Sequence, residues 1–106
     1  MESSHLVSVI TPTRNRAEKL PRAIASLFSQ THENFELILV DDHSSDETPA
    51  LVSRIKDPRL RYIRLPECAG IANARNVGLE AMRGEFVCFL DDDDEISPKK
   101  LQLQLE

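Results

Sequence analysis

The stretch EFVCFLDDDD, residues 85–94, decides how the rest of the chain is interpreted. An apolar, strand-like run ends abruptly in four consecutive carboxylates. Two unit charges about 4 Å apart repel by roughly 4 kcal/mol at an effective dielectric constant of about 20, so such a run needs an offsetting partner. Carboxylate oxygens favour a hard divalent cation, Mg²⁺ or Mn²⁺, over zinc. A solvated acidic turn is the alternative, because structural clusters also collect carboxylates.

Size and charge limit the classes of protein that fit. The chain has 106 residues, 41% hydrophobic and 29% charged, with a net charge of −5. We expect one globular domain over residues 1–106 and no nucleic-acid or anionic-membrane partner, since basic stretches are lacking. No apolar run is long enough for a membrane span, and residues 1–5 do not resemble a signal peptide. Cys68 and Cys88 show no metal-binding spacing. A reducing cytoplasm is therefore expected, with membrane association of a longer parent left open.

The order of elements is strand then helix, four times over. Strands are predicted at residues 6–10, 35–40, 60–65 and 85–90, the third with a wet side formed by its arginines. Four helices are predicted. The first begins near Leu20, the second follows a cap at Ser45 or Asp46, the third covers residues 71–83, and the fourth begins at Ser97-Pro98. This alternation predicts an α/β protein with a Rossmann-like open parallel sheet in the order 3-2-1-4.

Such a sheet binds ligands beyond the carboxyl ends of its strands, where the strand order reverses. Here the reversal lies between the first and fourth strands. Three loops follow strands near that point: residues 11–15, Asp41-Asp42, and the acidic run of residues 91–94. Topology alone therefore brings them to one rim, which favours a binding site over a solvated turn.

Four segments together resemble a known family. They are VSVITPTRNR (7–16), FELILVDDHS (35–44), GIANARNVG (70–78) and GEFVCFLDDDD (84–94). Their order and spacing resemble those of the inverting family 2 glycosyltransferases, enzymes of the GT-A fold that build polysaccharides such as those of cell surfaces. The resemblance covers residues 6–105 and implies the nucleotide-sugar-binding, N-terminal part of that fold.

The resemblance also implies roles for the loops after the first two strands. Thr11, Pro12 and Thr13 match the loop that lines the nucleotide, with Arg14 at its mouth. Asp42 matches the carboxylate that accepts a hydrogen bond from the base, usually uracil. A role as a turn residue is the alternative for Asp42, and Asp41 is expected to be such a turn former.

The acidic run matches the family's Asp-x-Asp motif. Asp91 and Asp93 would face Mg²⁺ or Mn²⁺ on the diphosphate, and Asp92 would lie towards ribose or sugar. Arg75 has two open roles, as a donor to diphosphate or sugar and as an ion-pair partner of the aspartates. Asn73 is a further candidate on the same helix, whose N-terminus at Gly70-Ile71 could assist a phosphate. Asp94 and Glu95 are expected to be solvated surface.

The implied activity is transfer of a sugar, with inversion, from a nucleoside-diphosphate donor (UDP-linked) to a sugar or lipid-linked acceptor. The base and acceptor site are expected in the second half of the family's domain, beyond this chain. The alternative is a non-catalytic binding or assembly module, or a truncated enzyme. Two other classes fit less well. A receiver domain would need an acidic pair after the first strand, where this chain has Thr11-Pro12-Thr13. A nucleotidyltransferase would need a glycine-rich first loop, and no glycine lies between Ile10 and Pro21. His43 and Cys68-Ala69 depart from the family's usual residues, which weakens the choice of sugar nucleotide.

The fourth strand should also present an open edge. We expect this edge to favour self-association, because unpaired strand edges recruit partners.

Overall fold

The computed structural model describes residues 5–93 and 95–105 and shows a four-stranded parallel sheet with helices on both faces. The predictions for residues 1–4 and Asp94 lie outside the described residues. The strand order is β3-β2-β1-β4, as predicted. In chain order the elements are β1 Val7–Thr13, α1 Leu20–Phe28, β2 Phe35–Asp41, α2 Thr48–Ser53, β3 Leu60–Arg64, α3 Ile71–Ala81, β4 Phe86–Phe89 and α4 Lys100–Leu105.

Each face of the sheet carries its own apolar core. Alternate side chains of β1 and β2 point to opposite faces. On one face, a larger core contains Val9, Leu37 and Leu39 together with residues of α1, α2 and α4. On the other, Ile10 and Ile38 pack with α3. Both central strands are buried along their whole length, which explains their near-continuous apolar sequence.

Helix α3 lies very close to β1. A Cβ atom at Gly78 would come within 2.5 Å of Ile10 Cγ2, so the glycine permits this approach. The helix ends at Ala81, two residues before the predicted end, and Met82 is extended at φ −69° and ψ 147°. The predicted end is wrong because the Arg83 amide turns back into the sheet, where it donates to Glu36 at 2.7 Å.

A buried polar cluster joins the strands at their amino ends. The Glu36 carboxylate, 6% exposed, accepts hydrogen bonds from the Ser8 hydroxyl at 2.6 Å and from Arg61 at 2.9 Å. Ser8 in turn accepts from the Gly84 amide at 2.8 Å. The prediction that Arg61 lies on a solvent-facing side of β3 is therefore wrong, because its guanidinium pairs with the buried carboxylate of Glu36. A sequence pattern of alternating arginines does not reveal such a partner.

Strand β1 pairs over unequal lengths with its two neighbours. All seven of its residues are in register with β2, but only Val7–Ile10 pair with β4. The last rung on the β4 side is the Leu90 amide donating to the Ile10 carbonyl at 3.1 Å. Beyond it the acidic run leaves the sheet, so a gap opens beside the end of β1.

The final helix begins later than predicted. Ser97 and Pro98 do not start it; α4 begins at Lys100. The Ser97 carbonyl accepts from the Gln30 side chain at 2.6 Å and from the Lys100 amide at 3.1 Å. The Pro98 carbonyl accepts from the Thr31 amide at 2.7 Å, so the segment before α4 is fastened to the loop after α1. None of the helices among the described residues is long and apolar enough to cross a membrane.

Candidate functional site

The segments that follow β1, β2 and β4 meet in one cleft of about 550 Å³ at the carboxyl edge of the sheet. They are distant in sequence, and parallel topology brings them together, as predicted. The residues that line the cleft are Pro12, Thr13, Arg14, Asn15, Arg16, Asp42, Cys68, Gly70, Ile71, Asp91, Asp92 and Asp93.

The end of β1 forms part of this cleft, and it is strand where a loop was predicted. Strand pairing continues through Thr13, in register with Asp41. The three residues of the Thr11-Pro12-Thr13 segment have different surroundings. Pro12 and Thr13 line the cleft, whereas Thr11 lies in a small pocket beside Leu20 under α1. The predicted role of Thr11 in lining the nucleotide stays a prediction.

Asp42 is held at the cleft by the loop before α3. Its carboxylate accepts hydrogen bonds from the Ala69 amide at 2.8 Å and the Gly70 amide at 2.9 Å, and Cys68 Sγ lies 3.4 Å away. Burial acts to raise the pKa of Asp42, but these donors and the charge of Arg14 outweigh it and lower the pKa below its ordinary value. Asp42 is therefore an ionised, 4% exposed acceptor.

Asp41 has the turn role that was expected. Its carboxylate accepts the Ser44 amide at 2.8 Å and the hydroxyl of Tyr62. Burial and this bond to a carboxylate raise the pKa of Tyr62 well above its ordinary value. His43 follows with a left-handed backbone, φ 62°, the conformation that glycine adopts most readily at such a position.

The three described aspartates of the acidic run each contact a different donor. Asp91 lies 3.8 Å from Arg75 and Asp93 lies 3.8 Å from Arg16, whereas Asp92 accepts a hydrogen bond from Thr13 at 2.9 Å. Burial raises the pKa of Asp92, against the opposing effects of the Thr13 hydroxyl and the Arg16 charge. Two separate arginines thus offset part of the charge of these three carboxylates.

Asp91 and Asp93 are the residues of the acidic run that could hold a divalent cation. Within residues 5–93 and 95–105, no three His, Cys, Asp or Glu side chains are grouped closely enough to hold a metal ion by themselves. Asp91 and Asp93 are nevertheless accessible, with side chains 65% and 41% exposed, and their arginine partners lie beyond hydrogen-bond distance. One or two carboxylates completed by substrate phosphates and water is the usual Mg²⁺ arrangement, so the pair fits such an ion.

Two predicted residues of α3 lie outside the cleft lining. Asn73 and Arg75 are exposed on the helix. Of the two roles left open for Arg75, the structure shows the ion pair with the acidic run, and its guanidinium also lies 6.0 Å from the Phe89 ring centre. A donor role for either residue stays a prediction.

Sequence reasoning assigned no role to several residues of the cleft. Asn15 and Arg16 stand in the first family segment, yet only contacts across the fold show what they touch. Asn15 has a left-handed backbone, φ 54°, and bonds to the loop after β2. The tendency of Asn to adopt this conformation is the one signal that could have indicated a special position.

The fold and the cleft define a Rossmann-like domain of the GT-A type, with an acidic segment at the topological switch point. The pattern of glycosyl transferase family 2 matches residues 8–106. This chain therefore belongs to that family, as the sequence predicted.

Curated relatives agree with this assignment. The succinoglycan biosynthesis protein ExoO of Rhizobium meliloti is 41% identical over 100 residues, covering 94% of this chain and 29% of the relative. The Escherichia coli UDP-Glc:alpha-D-GlcNAc-diphosphoundecaprenol beta-1,3-glucosyltransferase WfgD is 38% identical over 101 residues, covering 95% of this chain and 40% of the relative. The chain thus spans well under half the length of these relatives.

Solved structures show the same fold. TarS 1-349 of S. aureus in complex with UDP-GlcNAc matches with a TM-score of 0.88 and 34% identity over 93% of this chain and 30% of that one. The mannosyltransferase PcManGT of Pyrobaculum calidifontis, in complex with GDP-Man and Mn²⁺, matches with a TM-score of 0.77 and 32% identity over 82% of this chain and 27% of that one.

Proposed function

We propose that this chain is the donor-binding part of a glycosyltransferase that moves a sugar, with inversion, from a nucleoside-diphosphate sugar to a sugar or lipid-linked acceptor. The observation that carries the proposal is the meeting of Asp42 and the acidic run in one cleft at the carboxyl edge of the sheet. The matched structures that contain UDP-GlcNAc or GDP-Man support a sugar nucleotide as the ligand.

Asp42 is proposed to bind the base. Its lowered pKa keeps it ionised, so it accepts an N–H from the base edge while the amides of Ala69 and Gly70 fix its orientation. A uracil base has one such N–H between two carbonyl groups. We therefore place a uridine diphosphate first, with Pro12 and Thr13 beside it in the cleft.

Asp91 and Asp93 are proposed to hold Mg²⁺ or Mn²⁺ at the diphosphate. When bound, the cation stabilises charge that develops on the leaving nucleoside diphosphate. The arginines flanking Asn15, Arg14 and Arg16, line the same cleft and would attract the phosphates. Asp92, oriented by Thr13, lies towards the ribose or the sugar in this proposal.

The acceptor and the general base are not assigned to residues of this chain. The relatives are more than twice as long, and the name of WfgD describes transfer to a diphosphoundecaprenol-linked sugar. We propose that other parts of such an enzyme supply both functions, and that this chain alone binds donor without turnover. We place the reaction in the cytoplasm, where cysteines such as Cys68 and Cys88 stay reduced.

Calorimetric titration tests the proposal. UDP is titrated into the chain with and without Mn²⁺, with GDP as the comparison nucleotide. We expect binding that requires Mn²⁺ and is tighter for UDP. Asp93→Asn should remove most of the Mn²⁺ dependence. Glu95→Gln is the matched control, because this nearby carboxylate is outside the cleft lining and contacts Arg22. No heat at millimolar UDP in either condition would contradict the proposal.

A further inference from the structure

The loop after β1 and the loop after β2 are joined by hydrogen bonds centred on Asn15. The Asn15 amide donates to Ser44 Oγ at 2.8 Å, and Asn15 Oδ1 accepts from the amides of Ser45 at 2.8 Å and Asp46 at 3.2 Å. A further bond runs from the Ala17 amide to Asp46 Oδ2 at 3.2 Å. We call these bonds between residues 15–17 and 44–46 the loop clasp.

The clasp is anchored in the buried part of the sheet. Ser44 is 1% exposed, its amide donates to Asp41 Oδ1 at 2.8 Å, and its carbonyl accepts from Arg64 at 2.8 Å. Asp41 is fully buried at the end of β2. The loop after β2 is therefore rigidly attached, and the loop after β1 is fastened to it.

The clasp fixes two parts of the cleft relative to each other. The left-handed backbone at Asn15 lies between Arg14 and Arg16, and both arginines line the cleft. On the other side, Asp42 precedes Ser44 by two residues and lines the same cleft. Strand pairing ends where the Asp42 amide donates to the Thr13 carbonyl at 2.9 Å, one residue before Arg14. Beyond that bond, the clasp is what holds the backbone of residues 15–17 to the loop after β2.

We infer that Asn15 and Ser44 are positioning residues for the donor: they hold the phosphate-facing arginines at a set distance from the base-binding carboxylate. This inference rests on the proposed function. If loss of the clasp leaves the competent loop arrangement populated about one-tenth of the time, the apparent affinity for a nucleoside diphosphate falls about tenfold.

Two substitutions test this role, and Ser44→Ala separates it from direct contact with a ligand, because Asn15 lines the cleft and Ser44 does not. Asn15→Gly keeps the left-handed backbone accessible but removes the Oδ1 acceptor. Ser44→Ala removes the acceptor of the Asn15 amide at a residue outside the cleft lining. Asp57→Asn is the matched control, because Asp57 accepts the Arg59 amide at 2.9 Å in the turn before β3, at the other end of the sheet.

The test measures UDP affinity in the presence of Mn²⁺ by calorimetry, together with thermal unfolding and amide hydrogen exchange at Ser45 and Asp46. We expect Asn15→Gly and Ser44→Ala to weaken UDP binding about five- to tenfold, with faster exchange at these amides in Asn15→Gly. Asp57→Asn should lower the unfolding temperature and leave the affinity unchanged.

Unchanged affinity in both clasp variants, with normal affinity in the parent chain, would overturn this inference alone. An equal loss in Asp57→Asn would also overturn it, since the effect would then be one of general stability. Absence of UDP binding by the parent chain would overturn the proposed function and this inference with it. If Asn15→Gly does not fold, Ser44→Ala decides, because it removes a single hydrogen bond of the clasp.

Discussion

Replacement of Asp42 by asparagine tests the assignment of the base-binding residue. The carboxylate has two kinds of partner: the amides of Ala69 and Gly70 in the chain, and the base N–H in the proposed complex. The amide of asparagine keeps one acceptor oxygen and gains a donor. It can therefore satisfy one of the two backbone amides but not both, and it is no longer an anionic acceptor for the base.

The size of the effect follows from these contacts. A hydrogen bond to a charged group contributes about 1.5–3 kcal/mol. Loss of the charged acceptor to the base thus lowers UDP affinity by about 10- to 100-fold. The stability loss should lie near the lower end of that range, because Ala69 and Gly70 are exposed and water can solvate the amide that loses its partner.

The assay compares two ligands, UDP and inorganic pyrophosphate, each titrated by calorimetry with Mn²⁺. Pyrophosphate has no base, so Asp42→Asn should weaken UDP binding and leave pyrophosphate binding unchanged. Asp93→Asn should weaken both. Equal losses for the two ligands in Asp42→Asn would refute the base assignment and leave Asp42 as a residue that only holds the loop before α3.

Two further predictions concern stability and association. Burial acts to raise the pKa of Glu36, but hydrogen bonds from Ser8, Arg83 and Arg61 outweigh it and lower the pKa below its ordinary value of 4.5. Glu36 therefore stabilises the fold above that pH and less as the pH falls through its folded-state pKa. Glu36→Gln should lower the free energy of unfolding by about 1–3 kcal/mol at pH 7. In denaturant titrations, the difference in unfolding free energy between the parent chain and Glu36→Gln should become smaller by pH 3. A difference that stays constant with pH would contradict the ion pair. At the open edge of β4, Val87 is 41% exposed. We expect light scattering to show association of the chain that increases with concentration and that Val87→Lys abolishes. A parent chain that stays monomeric at high concentration would contradict this prediction.

The topology was predictable from the sequence because each step rests on a local pattern. Apolar runs such as residues 35–40 mark buried strands, and alternation with helices dictates parallel pairing and the edge at which the loops meet. The position of Asp42 and Asp91–Asp93 in one cleft followed from this order alone, without knowledge of any contact.

The predictions that proved wrong and the roles that were not predicted have a common cause: each depends on a contact with a residue distant in the chain. Arg61 has the pattern of an exposed residue. In the sheet its register partner is Ile38, and its side chain reaches back to Glu36, two residues earlier on β2. Thr11 was assigned to a loop, and only its pairing with Leu39 of β2 shows that it belongs to the strand. The role of Asn15 depends on residues about thirty positions away, and a sequence shows no such bond.

The unequal pairing of β1 gives Pro12 a particular consequence. The carbonyl of Ile10 faces β4 and that of Thr13 faces β2, so the backbone of Pro12, two residues after Ile10, faces the side that β4 has left. Most residues there would present an amide hydrogen without a strand partner, but proline has none. The ladder of hydrogen bonds between β1 and β4 therefore cannot continue past Leu90, and the cleft stays open beside Pro12. An alanine in place of Pro12 would supply an amide donor, with which the acidic segment could pair and narrow the cleft.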